Sequence, residues 1–221
     1  MIAYTVRSAI DSGVFDDVIC ATDSELYADI VRHYGAEVPF LRSAEISGDK
    51  SPDIEWVVWM LNALKRQGRR YEIFSILRPT NPFRLPETIQ RAWELFIQDP
   101  GADSLRAIER CKQHPGKMWV IHGKRMLPVM PFFNGTTPWH SSQYAALPDI
   151  YAQDASLEFA RTRIALEQNS IAGEAIIPFI SLGLEGFDIN NPEDWLLAEH
   201  YVANGDANLP VITHSAYHIH D

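Results

Sequence analysis

The sequence has 221 residues, 46% hydrophobic and 22% charged, which suits one soluble α/β domain with room for a small insertion. Its formal net charge of −10 argues against nucleic acid as a main partner, because an acidic surface repels phosphate backbones. A local cluster of arginines on such a surface still suits a small anion. The two cysteines lack partners at metal-ligand spacing, no signal-peptide pattern opens the chain, and no apolar run is long enough to span a bilayer. Together these predict no zinc site, no membrane and a reducing, cytoplasmic setting.

"AYTVRSAIDSG" carries Ala3, Val6, Ala9 and Ile10 at helical spacing and closes on Gly13. "DDVICAT" predicts a short buried strand holding Cys20. "SELYADIVRHYG" predicts a second helix between Ser24 as N-cap and Gly35 as terminator. "AEVPFLR" reads as a strand and "SPDIEWVVWMLNALKRQG" as a long helix with Trp56, Val57, Met60, Leu61 and Leu64 on one face. Strand "YEIFSIL", helix "LPETIQRAWELFIQ" with Pro86 near its start, and strand "ADSLRAI" follow. Short links between alternating strands and helices predict a doubly wound, mostly parallel sheet.

From residue 111 to 156 the rhythm breaks. Pro, Gly, Trp and His crowd together in "MPFFNGTTPWHSSQYAALP", and a long irregular segment inside a domain is usually functional or an interface. The pattern resumes with "ASLEFARTRIALEQ" and closes with "FDINNPEDWLLAEHYV", read as strand, loop and helix. Residues 1–203 thus form the predicted domain, and 204–221 a tail whose His214, His218 and His220 are expected to fray. Neither phosphate-binding motif, G-x-G-x-x-G or G-x-x-x-x-G-K-[ST], is present.

"LRPTNPFR", residues 77–84, joins a buried strand to a helix, where an open α/β sheet binds its ligands. Pro79 and Pro82 stiffen the turn, Thr80 and Asn81 offer hydroxyl and amide groups to the crevice, and Arg78 at the strand mouth can grip phosphate or carboxylate. An ordinary turn with Asn81 capping the helix weighs evenly against that reading. In "FDINNPEDW", Asp188 and Asn190 alternate on the expected strand, so both point one way; with Asp194 on the next turn they suit a hard cation such as Mg²⁺. Helix capping explains Asn191 to Asp194 but not an Asp inside a strand. Asp23 in "ATDSE" lies at a strand's carboxyl end, though a helix-cap neighbour is its favoured reading. His114 and Lys117 in "KQHPGKMW" are weak signals, since a lone loop histidine is usually solvated.

These stretches, in this order, resemble the acylneuraminate cytidylyltransferases (CMP-sialic acid synthetases and relatives). "IAYT", "VICATD" and "YGAEVPFLRSAEI" are similar to that family's "LIAYT", "V-x-V-S-T-D" and "Y-G-A-E-V-P-F-L-R-P-A-E-L". "LRPTNPFR" matches "L-[QR]-P-T-S-P-L-R", "ADSLRAIERCKQHPGKMW" matches "ADSV…HPYKMW", and "FDINNPEDW" matches "x-D-I-[DN]-x-x-E-D". The likeness runs to about residue 203 and implies a Rossmann-like nucleotidyltransferase fold. It also implies the reaction: CTP and an acidic nine-carbon 2-keto sugar give a CMP-sugar and pyrophosphate, with Mg²⁺ holding the triphosphate. By the same likeness Asp188 is the catalytic, metal-binding aspartate, and Asn190 stands as a neutral second ligand. Arg42, with Asp23, lies on the nucleotide side. Arg78, Thr80 and Asn81 line the sugar pocket, and Lys117 and Gln143 stand beside it in the segment that forms a homodimer interface.

Two departures qualify that inheritance. The family's "A-R-x-G-S-K-x-x-x-x-K-N" loop, which holds the CTP phosphates, precedes "LIAYT" and is not found in this sequence; a mis-set start codon, a shortened chain or a real loss would each account for it. Arginines flanking the Gln143 position and in "R-P-N-G" are replaced by Ser142 and by Ala152, Asp154 and Ala155, so the sugar is expected to differ from N-acetylneuraminic acid. The alternative reading is a catalytically impaired remnant that serves as a sugar-acid-binding or partner protein.

Overall fold

A computed structural model describes residues 1–48 and 50–218, and its helices begin and end where the caps predict. Helix α1 (Ile2–Asp11) buries Ala3, Val6 and Ala9, and the chain leaves it through Gly13 at φ +64°. In α2 (Glu25–His33) the Ser24 hydroxyl accepts from the Tyr27 amide at 3.4 Å. Helix α3 (Asp53–Arg66) buries Val57, Met60, Leu61 and Leu64, with acids in its first turn and bases in its last, matching the helix dipole. Strand β1 (Ile73–Ile76) leads to α4 (Pro86–Ile97), which has proline at its first position, and then β2 (Ser104–Arg110) follows. Four short strands come next: β3 (Trp119–His122), β4 (Arg125–Pro128), β5 (Phe133–Asn134) and β6 (Thr137–Pro138). The chain finishes with β7 (Tyr151–Arg161), α5 (Thr162–Gln168), β8 (Ile176–Ile180) and α6 (Pro192–Asn204).

The central sheet runs in the order β1-β7-β2-β8, with β1 antiparallel to β7 and Ile76 opposite Glu158. Alternation along β7 sends Leu157 and Phe159 to one face and Glu158 to the other. Leu157 and Phe159 meet α4 through Ile89, Ala92 and Phe96 in the main core. On the face shared by Ile76, α3 and α5 pack through Val57, Leu61 and Ala165. Helices on both faces of one sheet make this the α/β class that the alternating pattern predicts.

Four expectations change. The strands expected at "DDVICAT" and "AEVPFLR" reduce to one parallel bridge, Ile19 with Glu37, carried by two 2.8 Å backbone bonds. Asp188 follows a turn and belongs to no strand. The tail is packed rather than frayed: Ile212 and Tyr217 lie against the cluster around Val31 and Tyr34, and the Tyr217 amide donates to the Tyr34 hydroxyl at 3.1 Å. His33 bonds the Ser215 carbonyl at 2.8 Å beside His214, while His220 lies outside the described residues. The irregular middle is two hairpins, β3 with β4 and β5 with β6.

The chain divides into two compact units, Met1–Ala107 with Asp154–Asp221, and Ile108–Gln153. Among the described residues no helix is long and apolar enough to cross a membrane.

Candidate active site

The two arginines of "LRPTNPFR" go separate ways. Arg84 is 1% exposed: its Nη1 donates to the Ser156 carbonyl, and its Nη2 to Thr5 Oγ1 and the Arg78 carbonyl at 3.1 Å each. The Ser8 hydroxyl donates back to the Arg84 carbonyl at 2.6 Å. Burial pulls the Arg84 pKa down to about 9, which leaves it protonated at neutral pH. One hidden guanidinium thus ties α1, β7 and the turn together, holding the backbone that carries Arg78.

Arg78 faces outward from the end of β1. Its Nη2 lies 2.5 Å from Asp53 Oδ2 at the start of α3 and 3.7 Å from Glu158 Oε1. Arg106 Nη1 reaches Glu158 Oε2 at 3.1 Å. Arg42 Nη2 stands 4.0 Å from Asp23 Oδ1, and its guanidinium covers the Trp56 ring at 6.0 Å. Trp56 Nε1 in turn donates to Asp53 Oδ1 at 2.9 Å. Carboxylates and guanidinium groups alternate along this row, although Asp53 and Glu158, which share Arg78, still repel each other.

Burial alone would raise the Asp53 carboxyl, but hydrogen bonds from Arg78 and Trp56 outweigh it and hold the pKa below the ordinary aspartate value. Burial likewise opposes the Arg78 charge, yet Asp53, Glu158 and Asp188 together raise its pKa. Glu158 goes the other way: desolvation pushes its carboxyl up despite Arg106 and Arg78.

Asp188 Oδ2 accepts from Asn190 Nδ2 at 2.9 Å, so the two side chains meet although no strand aligns them. The other oxygen, Asp188 Oδ1, is buried without a hydrogen-bond partner. An uncompensated carboxylate oxygen is costly unless something else binds it. Thr80 holds this segment through its carbonyl, which accepts from the Ile189 amide at 3.0 Å. Asn81, expected to face the crevice, is instead 1% exposed and donates to the Phe187 carbonyl at 3.2 Å. Its amide therefore braces the Asp188 segment from behind. Gly186 is required there: a β-carbon would come within 2.5 Å of Asp154 Oδ2.

Asp194 takes the capping role rather than a ligand's, accepting from the amides of Asn190 and Asn191 at 2.9 and 3.2 Å. Among the described residues no group of three or more His, Cys, Asp and Glu side chains is placed to hold a metal. Asp188 with Asn190 nevertheless fits Mg²⁺, which commonly binds through one or two protein oxygens and completes its shell with substrate phosphates and water.

Lys117 and Gln143 belong to the unit Ile108–Gln153. Lys117 Nζ donates to the carbonyls of His140, at 3.1 Å, and Ser142; Gln143 is exposed at the start of a short 3-10 turn. His114 is 7% exposed rather than solvated, with one ring nitrogen accepting from Gly116 N at 3.0 Å and the other 3.0 Å from the Pro148 carbonyl.

Sequence reasoning missed Asp53, Arg84, Arg106 and Glu158. A signal existed for Glu158, a charged residue inside the apolar strand run "SLEFA".

Comparison with known proteins points the same way. The family model described as Cytidylyltransferase matches residues 1–101. A CMP-N,N'-diacetyllegionaminic acid synthase of Legionella pneumophila is 29% identical over 200 residues, 90% of this chain and 83% of that protein. An N-acylneuraminate cytidylyltransferase of Escherichia coli is 38% identical over 96 residues, 43% of this chain and 22% of that protein. A pseudaminic acid cytidylyltransferase of Campylobacter jejuni is 30% identical over 99 residues, 45% of this chain and 43% of that protein. Among solved structures, a CMP:2-keto-3-deoxy-manno-octonic acid synthetase complexed with CTP has the same fold, with a TM-score of 0.62 at 10% identity over 92% of this chain and 88% of that one. The matching family model over residues 1–101 and this run of relatives agree with the motifs: the chain is similar to cytidylyltransferases that act on acidic sugars, and it shares the fold of a solved cytidylyltransferase.

Proposed function

We propose that the protein transfers CMP from CTP to a nonulosonic acid, an acidic nine-carbon 2-keto sugar, and releases pyrophosphate. The observation that carries this reading is the buried, unpartnered Asp188 Oδ1 in a site where Arg78 lies within the charge reach of Asp188. The anomeric hydroxyl attacks the α-phosphorus, the bond to the β-phosphate oxygen breaks, and pyrophosphate leaves. Asp188 and the Asn190 amide oxygen would hold Mg²⁺, which supplies charge neutralisation to the triphosphate. Arg42, stacked on Trp56, serves the nucleotide side, with Asp23 holding it when no ligand is bound. Arg78 serves the acidic sugar, and Asp53 limits its swing.

A second copy of the chain is the proposed partner. The two hairpins of Ile108–Gln153 leave Ile121, Met126, Leu127, Phe132 and Phe133 exposed, an apolar surface of the kind that homodimers cover.

The test incubates the protein with CTP, Mg²⁺ and, separately, N-acetylneuraminic, legionaminic and pseudaminic acids, and measures pyrophosphate with the CMP-sugar. The expected result is turnover with at least one acid and preference for one other than N-acetylneuraminic acid. No CMP-sugar from any of the three overturns the reading.

A further inference from the structure

Glu158 has no role in the chemistry described so far, yet the fold keeps it in an expensive place. It lies within β7 between Leu157 and Phe159, which are 0% and 1% exposed, and is itself 3% exposed. A carboxylate so placed costs several kcal/mol unless it is paired, and apolar residues of similar volume often replace such ions without loss of stability. Packing alone therefore gives no reason to retain it.

Its neighbours suggest one. Arg106 forms an ion pair with Glu158 from the adjoining strand at 3.1 Å and is itself mostly covered, with 15% of its side chain exposed. Arg78 stands on the other side at 3.7 Å, 35% exposed and so the member that meets solvent. The arrangement is a short row from inside to outside: a covered cation, a covered anion and an outward cation. Arg106 neutralises the glutamate, leaving Arg78 steered by it without being fully captured. The same nitrogen, Arg78 Nη2, also meets Asp53 Oδ2 at 2.5 Å. With both carboxylates on one nitrogen, the other N–H groups of the planar guanidinium are left for a ligand, and such a fork favours bidentate binding of a planar carboxylate.

Resting on the sugar-acid reading above, we infer that Glu158, fixed by Arg106, is a positioning residue that aims the Arg78 guanidinium at the carboxylate of the acidic sugar. Without Glu158, Arg78 is held by Asp53 alone and loses that orientation. The Arg42–Asp23 pair on the nucleotide side lies outside this row.

The experiment compares N,N'-diacetyllegionaminic acid with its methyl ester, which keeps the sugar and removes the charge. Binding of each is measured by calorimetry alongside CTP binding and turnover. The parent protein is expected to prefer the acid by about tenfold or more, the range of a charge-assisted hydrogen bond. In Glu158→Gln and in Arg106→Met that preference is expected to fall to about threefold or less, with CTP affinity unchanged; Glu158→Asp is expected to restore part of it. Arg106→Met keeps the aliphatic stem, so it tests the idea should Glu158→Gln not fold. A preserved preference in either folded variant, tighter acid binding in Glu158→Gln, or an equal loss of CTP binding overturns the inference. If instead the parent protein neither binds the acid nor turns over any of the three sugars, it is the functional reading that fails.

Discussion

Replacing Arg84 with methionine is expected to destabilise the protein by about 1.5–7.5 kcal/mol. Three acceptors depend on this buried guanidinium: the Ser156 carbonyl in β7, the Arg78 carbonyl, and Thr5 Oγ1 in α1. A hydrogen bond from a charged donor contributes about 1.5–3 kcal/mol net, so the three together contribute roughly 4.5–9 kcal/mol. Methionine fills much of the same volume and returns about 1.5–3 kcal/mol by burying apolar surface. The difference is a large part of the roughly 5–15 kcal/mol that separates folded from unfolded domains. Urea unfolding followed by tryptophan fluorescence measures it. Arg84→Lys keeps the charge but has one nitrogen where two are used, so its loss should be intermediate. Since the Arg78 carbonyl is among the three acceptors, a folded Arg84→Met protein should also bind the sugar acid more weakly. An unfolding free energy within about 0.5 kcal/mol of the parent would show that the guanidinium is not the tie between α1, β7 and the turn.

Asp188→Ala is expected to abolish Mg²⁺-dependent CTP turnover while leaving the unfolding midpoint nearly unchanged, because Asp188 Oδ1 has no hydrogen bond to lose and Oδ2 only the exposed one from Asn190; unchanged turnover would reject the metal assignment. Asn190→Asp adds a second carboxylate and should lower the Mg²⁺ concentration giving half-maximal rate, checked by metal titration. At Glu185, burial alone would raise the pKa, but bonds from Arg91 at 2.6 and 3.1 Å, Thr88 at 2.6 Å and the Leu182 amide at 2.8 Å hold it below the ordinary glutamate value. Its contribution is therefore present above the unfolded value and is lost as pH falls through the lower folded value, so thermal melts of Glu185→Gln and the parent should differ at pH 7 and converge as acid carries the pH below that folded value. Ile121→Asp, on the exposed β3 hairpin, should yield monomer by sedimentation at micromolar concentration if the parent is the dimer proposed.

Helices were legible because their signals are local. Ser24, Pro86 and the Asn191–Asp194 capping box each announce a first turn from a few adjacent residues, and the apolar stripes of α1 and α3 follow from their period. Strands were less so, since a ladder exists only where a distant neighbour pairs. "VICAT" has the composition of a buried strand, yet a single bridge forms. The tail shows the same limit: nothing near Tyr217 tells that Tyr34, 183 residues earlier, receives it. At the site, Arg78 could be picked out as an ionisable group at a turn with no local use, and Asp188 as an acid that helix capping does not explain, although the strand expected to carry it does not form. Asn81 has the same turn chemistry, but the strand-to-helix link buries it, and only the fold reveals that its amide supports Phe187 instead of a ligand. Arg84 was hidden for a similar reason: one residue type serves both as outward anion grip and as inward clamp, and the difference lies in what packs against it.

The same row of contacts explains how a protein with a formal net charge of −10 could handle two anionic substrates. Arg106, Arg78 and Arg42 would repel one another if left bare, and each is therefore met by a carboxylate: Glu158, Asp53 and Asp23. The spacings are unequal. Arg78 with Asp53 and Arg106 with Glu158 are close pairs, at 2.5 and 3.1 Å, while Arg78 with Glu158 and Arg42 with Asp23 are stretched to 3.7 and 4.0 Å. Attraction and hydrogen bonding weaken over that interval, and the Asp23 carboxylate is half exposed to screening water. An arriving nucleotide would thus part Arg42 from Asp23 at little cost, while Asp53 and Glu158 stay beside Arg78 as the frame that orients it.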